Sequence, residues 1–291
     1  MRVRTLVASI AVLGVLTTAC ADASEVPGSG GTGPGTIDHP TGSNDLLLRV
    51  SDEGGFVAPE YLLTAAPAFS LYGDGTVVTQ GAQIEIYPGP ALPSLIVTHI
   101  TEDGIQALLR GALEAGLDTD HQYTDMGTVG VADASTTVFT FTADGVTHVT
   151  KVYALGMLSA DQPAGMSDAE FSARTRLGTF QGSLQDLRTT LPSGSVGDDA
   201  PFTPSGLRLF VTDYRAGDVK EPAVDWPLAT PLSSEGDPSE HAGYACIAVT
   251  GANLDAVLPL AQSANQLTPW RSDGARFTVL FRPLLPDESG C

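Results

Sequence analysis

The sequence predicts an α+β fold: antiparallel sheets with helices packed on one face, built as two weakly repeated strand-helix units. Three observations carry that expectation. Ile105, Leu108, Leu109 and Ala112 recur at i, i+3, i+4 and i+7 behind the strand-like run Leu95 to Ile100, and Leu254, Val257, Leu258 and Ala261 repeat that spacing behind Tyr244 to Val249. Alternating apolar runs are joined by Asp74-Gly75 and Asp144-Gly145, where a hairpin needs positive φ. The chain has 291 residues, 42% of them hydrophobic, which is enough for a sizeable core.

At the N-terminus, Arg2 and Arg4 precede an apolar run from Leu6 to Leu16 that ends in small residues. Residues 1–19 therefore read as an export signal, too short for a spanning helix. The ending Leu16-Thr17-Thr18-Ala19-Cys20 resembles a bacterial lipobox, with Thr17 in the slot that usually holds Leu. That resemblance implies lipidation of Cys20, and thus a protein held by acyl chains on the outer face of the cytoplasmic membrane. The alternative is simple cleavage near Ala19 or Ala21. Residues 20–44, rich in Gly, Ser, Thr and Pro, have little to bury and read as a flexible tether with a reach of about 25 to 30 Å.

The first α+β unit is expected over residues 45–195. Asp45 to Ser51 is a strand, and Ala68 to Thr79 is a hairpin around Gly73-Asp74-Gly75. After the Pro-rich loop Tyr87 to Pro93 comes the strand and helix described above. Thr101 is placed to cap the helix, Glu102 and Asp103 suit the positive end of its dipole, and Gly116 suits its left-handed close. A second hairpin follows from Thr136 to Tyr153. The spacing then predicts one long helix over 168–191: Ser167 and Glu170 form a capping-box pattern, and Ala173, Leu177, Phe180, Leu184, Leu187 and Leu191 form its seam.

The second unit is expected over 196–291. It opens with a strand at Leu207 to Tyr214, continues through a long polar loop to about Ala242, and repeats strand and helix from Tyr244. Pro259 lies too deep in that helix to be harmless and is expected to kink or divide it. Ala275 to Arg282 is a last strand. With Cys20 lipidated, Cys246 and Cys291 remain, and in an oxidising compartment they are expected to form a disulfide.

The formal net charge of −20, with Lys151 and Lys220 the only lysines, disfavours binding to nucleic-acid phosphates. Asp118, Asp120, His121 and Asp125 are close enough in sequence to be a weak candidate cation site, although an EF-hand would need a Gly and a terminal Glu that are absent. No G-x-S-x-G is present, and Ser239 and His241 are neighbours rather than a triad. No cofactor and no catalytic residue is expected. Aromatic side chains beside prolines are the candidate contact residues: Trp226, Trp270 and the adjacent Arg271.

The lipobox-like start, the GDGT hairpin, TEDGIQALL and the closing FRPLLPDE with Cys291 together resemble uncharacterised secreted lipoproteins of actinobacteria. The segment from Phe69 to Gly156 also resembles small domains of unknown function that run GDGT hairpin, helix, hairpin. Neither resemblance brings catalytic residues. They imply location and architecture only, and the leading expectation for function is a membrane-anchored envelope component that binds a protein or wall polymer without catalysis. The alternatives are a cell-wall hydrolase or modifying enzyme working through carboxylates, and a small-ligand carrier.

Overall fold

The computed structural model describes residues 29–30, 35–158, 161–235 and 243–291. Cys20, Ser239 and His241 lie outside them. In chain order the strands and helices are β1 (Ser29–Gly30), β2 (His39–Pro40), β3 (Leu46–Gly54), α1 (Pro59–Thr64), β4 (Phe69–Tyr72), β5 (Thr76–Gln80) and β6 (Leu95–His99). Next come α2 (Glu102–Ala115), β7 (His121–Tyr123), β8 (Ser135–Ala143), β9 (Val146–Tyr153), α3 (Asp168–Ser183), α4 (Leu187–Thr190) and β10 (Ala200–Pro201). The chain closes with β11 (Gly206–Asp213), β12 (Val224–Asp225), β13 (Ala245–Thr250), α5 (Gly251–Ser263), β14 (Trp270–Ser272) and β15 (Ala275–Pro283).

These form the α+β architecture expected, with an eight-stranded sheet ordered β10-β6-β5-β4-β3-β8-β9-β7 and a five-stranded sheet ordered β12-β14-β15-β11-β13. Pairing is antiparallel except at β7/β9 and β12/β14. Turn chemistry fixes the registers. Asp144 and Gly145 both take positive φ in the two-residue loop that sets Ala143 opposite Val146, and Asp273-Gly274 does the same between Ser272 and Ala275. Gly75 has φ +85° and lies against the Ile100 carbonyl, where a side chain would collide.

The helices pack as their periodicity requires. Ile105, Leu108, Leu109 and Ala112 of α2, with Leu177 and Phe180 of α3, cover Leu48, Val50, Phe69, Leu71, Phe139 and Phe141 on one face of the larger sheet. A Cβ on Gly111 would be 3.1 Å from the Phe180 ring, so glycine lets α2 and α3 meet closely. On the smaller sheet, Leu254, Val257 and Ala261 of α5 cover Leu207, Leu209, Phe277, Val279 and Phe281. The larger sheet is not bare on its other face: Tyr72, Val78 and Leu95 are covered there by Leu285.

Four expectations need correction. The long helix ends at Ser183, and α4 follows as a separate turn. Asp186 accepts hydrogen bonds from the Thr189 backbone N–H (3.2 Å) and hydroxyl (2.6 Å), a local cap that competes with helix continuation. The seam survives the break, because Leu184 and Leu191 are still buried. Pro259 does not divide α5. It lies on the exposed face, where water can reach the Asp255 carbonyl that it leaves without an amide partner. The stretch read as tether up to Asn44 is structured in part: Ser29–Gly30 pairs with β2, and from Ile37 onward the chain is docked, the Gln106 side chain bonding both the N–H and the C=O of Ile37 at 2.9 Å. His39 is buried, with Nε2 3.1 Å from Glu102. Last, the boundary between units is interleaved. β10 lies past residue 196 yet joins the larger sheet, while Ala91 and Leu92 of the Pro-rich loop pack into the smaller core. The Ala91 N–H donates to Ala264 (3.1 Å) and the Gln266 N–H to Gly89 (2.9 Å), so the two units form one packed body.

Candidate functional site

The most elaborate polar cluster is a strap made by the residues after β15. Leu284 and Leu285 are buried, and Cys291 is joined to Cys246 of β13 by the expected disulfide, with Cα atoms 5.9 Å apart. Between these anchors, Asp287 accepts from Arg49 Nη2 (2.7 Å), Arg49 Nη1 (3.0 Å) and the Tyr72 hydroxyl (2.8 Å). Arg49 Nε donates to Ser70 (3.1 Å). Glu288 receives both Arg282 terminal nitrogens at 2.7 Å, and Arg282 Nε reaches the Ala65 carbonyl at 3.2 Å. Arg49 and Tyr72 belong to the larger sheet and Arg282 to the smaller one, so the strap ties the two sheets together.

The electrostatics follow from burial and pairing. Burial pushes the Asp287 carboxyl up, but the hydrogen bond and charge of Arg49 and the Tyr72 hydroxyl outweigh it and hold the group below its ordinary value. Glu288 is lowered in the same way against burial by Arg282. Burial raises the Tyr72 phenol, Arg49 opposes this and Asp287 adds to it, and the net effect keeps the hydroxyl a proton donor. Tyr72 is fully buried, and each member of the cluster is consumed by another. Such an arrangement holds a segment in place.

The sequence-derived contact residues fall into two environments. Trp270 is fully buried, edge-on to Phe281 at 5.3 Å and to Trp226 at 6.0 Å, so its ring is core and not a platform. The half-buried Trp226 spends its indole N–H on the Thr230 carbonyl (3.0 Å). Arg271 is exposed and pairs with Asp225 at 2.6 Å.

The acidic loop does not converge. Asp120 accepts from the Val149 N–H (2.8 Å) and lies 3.4 Å from His148 Nδ1. His121 Nε2 lies 2.8 Å from the Thr119 hydroxyl, and Asp125 accepts from the Gly127 N–H (2.8 Å). Asp118 is exposed. Among the described residues, no three His, Cys, Asp or Glu side chains come together as metal ligands would. Beside this loop, Asp120, His121, Gln122, Val149 and Lys151 line an open recess of about 230 Å³. A larger recess of about 450 Å³ lies between α3 and the turn after β9. Its one charged lining residue, Arg174, is spent on the Tyr153, Tyr123 and Asp125 carbonyls at 2.7 to 3.0 Å.

What the sequence reading passed over is a set of apolar side chains left in water. Phe56 is 87% exposed, with Val57, Tyr61 (60%) and Leu62 nearby in the segment leading into and through α1. In the β5–β6 loop, Ile84, Ile86 and Tyr87 (75%) are exposed as well. The signal was partial: these residues lie among Gly and Pro in runs too short to establish a buried face, Ile84-Glu85-Ile86 being a single alternation. α1 itself buries none of its residues. Comparison with known proteins adds no assignment, since no protein-family model, no curated protein and no solved structure matches the chain.

Proposed function

We propose that this protein is an extracytoplasmic lipoprotein, anchored through Cys20 on the outer face of the cytoplasmic membrane, that binds a component of the cell envelope without catalysis. The observation that carries the binding part is the exposed apolar set on α1, the segment before it and the β5–β6 loop. Leaving Phe56 and Tyr87 in water costs solvation free energy that a bound partner would recover. Neither recess brings two carboxylates together, which favours binding over a wall hydrolase. Anchoring rests on the basic start, the short apolar run and the lipobox-like ending of the sequence. Labelled palmitate should enter the wild type and not a Cys20→Ala variant. The lipidated protein should retain an envelope component that a Phe56→Ser, Tyr87→Ser double variant releases. Equal labelling of both forms would end the anchoring half, and equal retention would end the binding half.

A further inference from the structure

The anchored end and the apolar end of the larger sheet are opposite ends. The chain becomes docked at Ile37 to Pro40, against the start of α2 and the β8–β9 turn, where the Asp144 N–H donates to the Asp38 carbonyl (2.8 Å). β3 begins at that end, with Leu46 opposite Tyr72, and finishes with Gly54 opposite Ser135. Nine residues of strand separate the two by about 30 Å. Phe56 follows directly, its N–H bonded to Asp133 (3.0 Å). The β5–β6 loop leaves from this same far end, because β5 runs from Thr76, beside the anchored-end turn, to Gln80. Two strand spacings, about 10 Å, separate β3 from β5. Gln80 also bonds the Ala66 carbonyl just beyond α1 (2.7 Å). Both apolar segments therefore crown one pole.

The charge at that pole is mostly negative, with Lys151 paired to Glu53 at 2.8 Å and Arg215 near the Tyr244 phenol that donates to Glu60. Asp52, Glu53, Glu60, Glu85 and Asp133 are exposed in or beside the apolar segments, and no Lys or Arg occurs between Arg49 and Arg110. Glu85 stands between Ile84 and Ile86. An anionic lipid surface is repelled by such a rim, and so is a second copy of a chain with net charge −20. Position agrees, since the chain enters the fold at the opposite end, at β1/β2 and Ile37, about the length of β3 away from this pole.

Resting on the anchored-binder reading above, we infer that the pole formed by Phe56, Tyr61, Leu62, Ile84, Ile86 and Tyr87 docks a protein whose contact surface is apolar and rimmed by Lys or Arg, on the side facing away from the membrane. The rim charges select the partner and speed encounter, and the apolar side chains hold it.

The test uses the full-length protein in intact cells that make it, with a photo-crosslinking phenylalanine analogue replacing Tyr61, Tyr87 or, as a control at the anchored end, the exposed Val146. Positions 61 and 87 should give an adduct with a protein whose cross-linked peptide carries net positive charge, and position 146 should not. Reversing the rim with Glu85→Lys, alone and combined with Glu60→Lys, should lower the yield at least tenfold for the pair, with the thermal midpoint of the Glu85→Lys variant unchanged. Adducts to phospholipid, wall polymer, a second copy or an acidic peptide would overturn the partner assignment while leaving a binding function in place. Equal yield from position 146 would overturn the assignment to this pole. No adduct from any position would remove the binding reading as well, and palmitate labelling of the same cells reports anchoring separately.

Discussion

The two strand-helix units repeat one pattern and are secured by different means. β6 is an interior strand, paired on both sides, and its helix α2 is closed at each end: Thr101 accepts from the Gly104 N–H (3.4 Å), and Gly116 takes φ +89° to satisfy the last carbonyls. β13 is an edge strand, and α5 has no side-chain cap from Thr250 and carries Pro259 on its exposed face. What the second unit lacks in local signals it has in a covalent tie, the bond from Cys246 of this edge strand to the end of the strap. A helix with good caps is specified by its own sequence. A poorly capped one on an edge strand depends on distant residues brought against it.

That contrast can be broken experimentally, the largest effect first. Cys246→Ser, or reduction, opens a closure of 45 residues and should cost about 4 kcal/mol in the chain-entropy account, read as a fall in the urea midpoint. An unchanged midpoint would show that Arg49 and Arg282 hold the strap unaided. Next, Leu109→Ala in α2 should cost about 3 kcal/mol because that side chain is fully buried, against about 1 kcal/mol for the partly buried Leu258→Ala in α5. Equal costs would deny that the two helices are secured differently. Thr101→Ala should cost about 1 kcal/mol, while Thr250→Ala should fall within about 0.5 kcal/mol of wild type.

The last and most gradual effect is on pH. Asp287 and Glu288 have folded-state values below their unfolded ones, so the unfolded chain binds more protons across that interval. The stabilisation they give is complete above the ordinary carboxylate range and is lost as pH falls through the lowered values. Urea midpoints of the wild type should therefore decline more steeply in acid than those of an Asp287→Asn, Glu288→Gln variant. Parallel curves would sink the idea that the strap is an electrostatic clamp.

Much of the fold was legible because its signals are local. Thr101, Gly116, Asp144-Gly145 and the two apolar helix faces act within a few residues, and each is found where the spacing put it. Short elements were not legible. β7, β10, β12, β14 and α1 are two to six residues long, and a period cannot establish itself over so few positions. The break after Ser183 was hidden because the Asp186 cap and the continuing leucine seam point in different directions at the same residues. Of the candidate site residues, the cysteine pair could be found by counting. Trp270 could not be distinguished from a surface tryptophan, since a Pro neighbour says nothing about what closes over the ring.

By itself the sequence determined the α+β class, the hairpins, both long helical faces and the disulfide pairing, because each depends on residue types at short or countable separations. Only the tertiary structure decided that Arg49, Tyr72 and Asp287 meet, that Trp270 is core, and that Phe56 and Tyr87 are left exposed. Those relations join positions up to 238 residues apart along the chain. The side chains involved carry no mark of one another until sheet register and strand order bring them within reach.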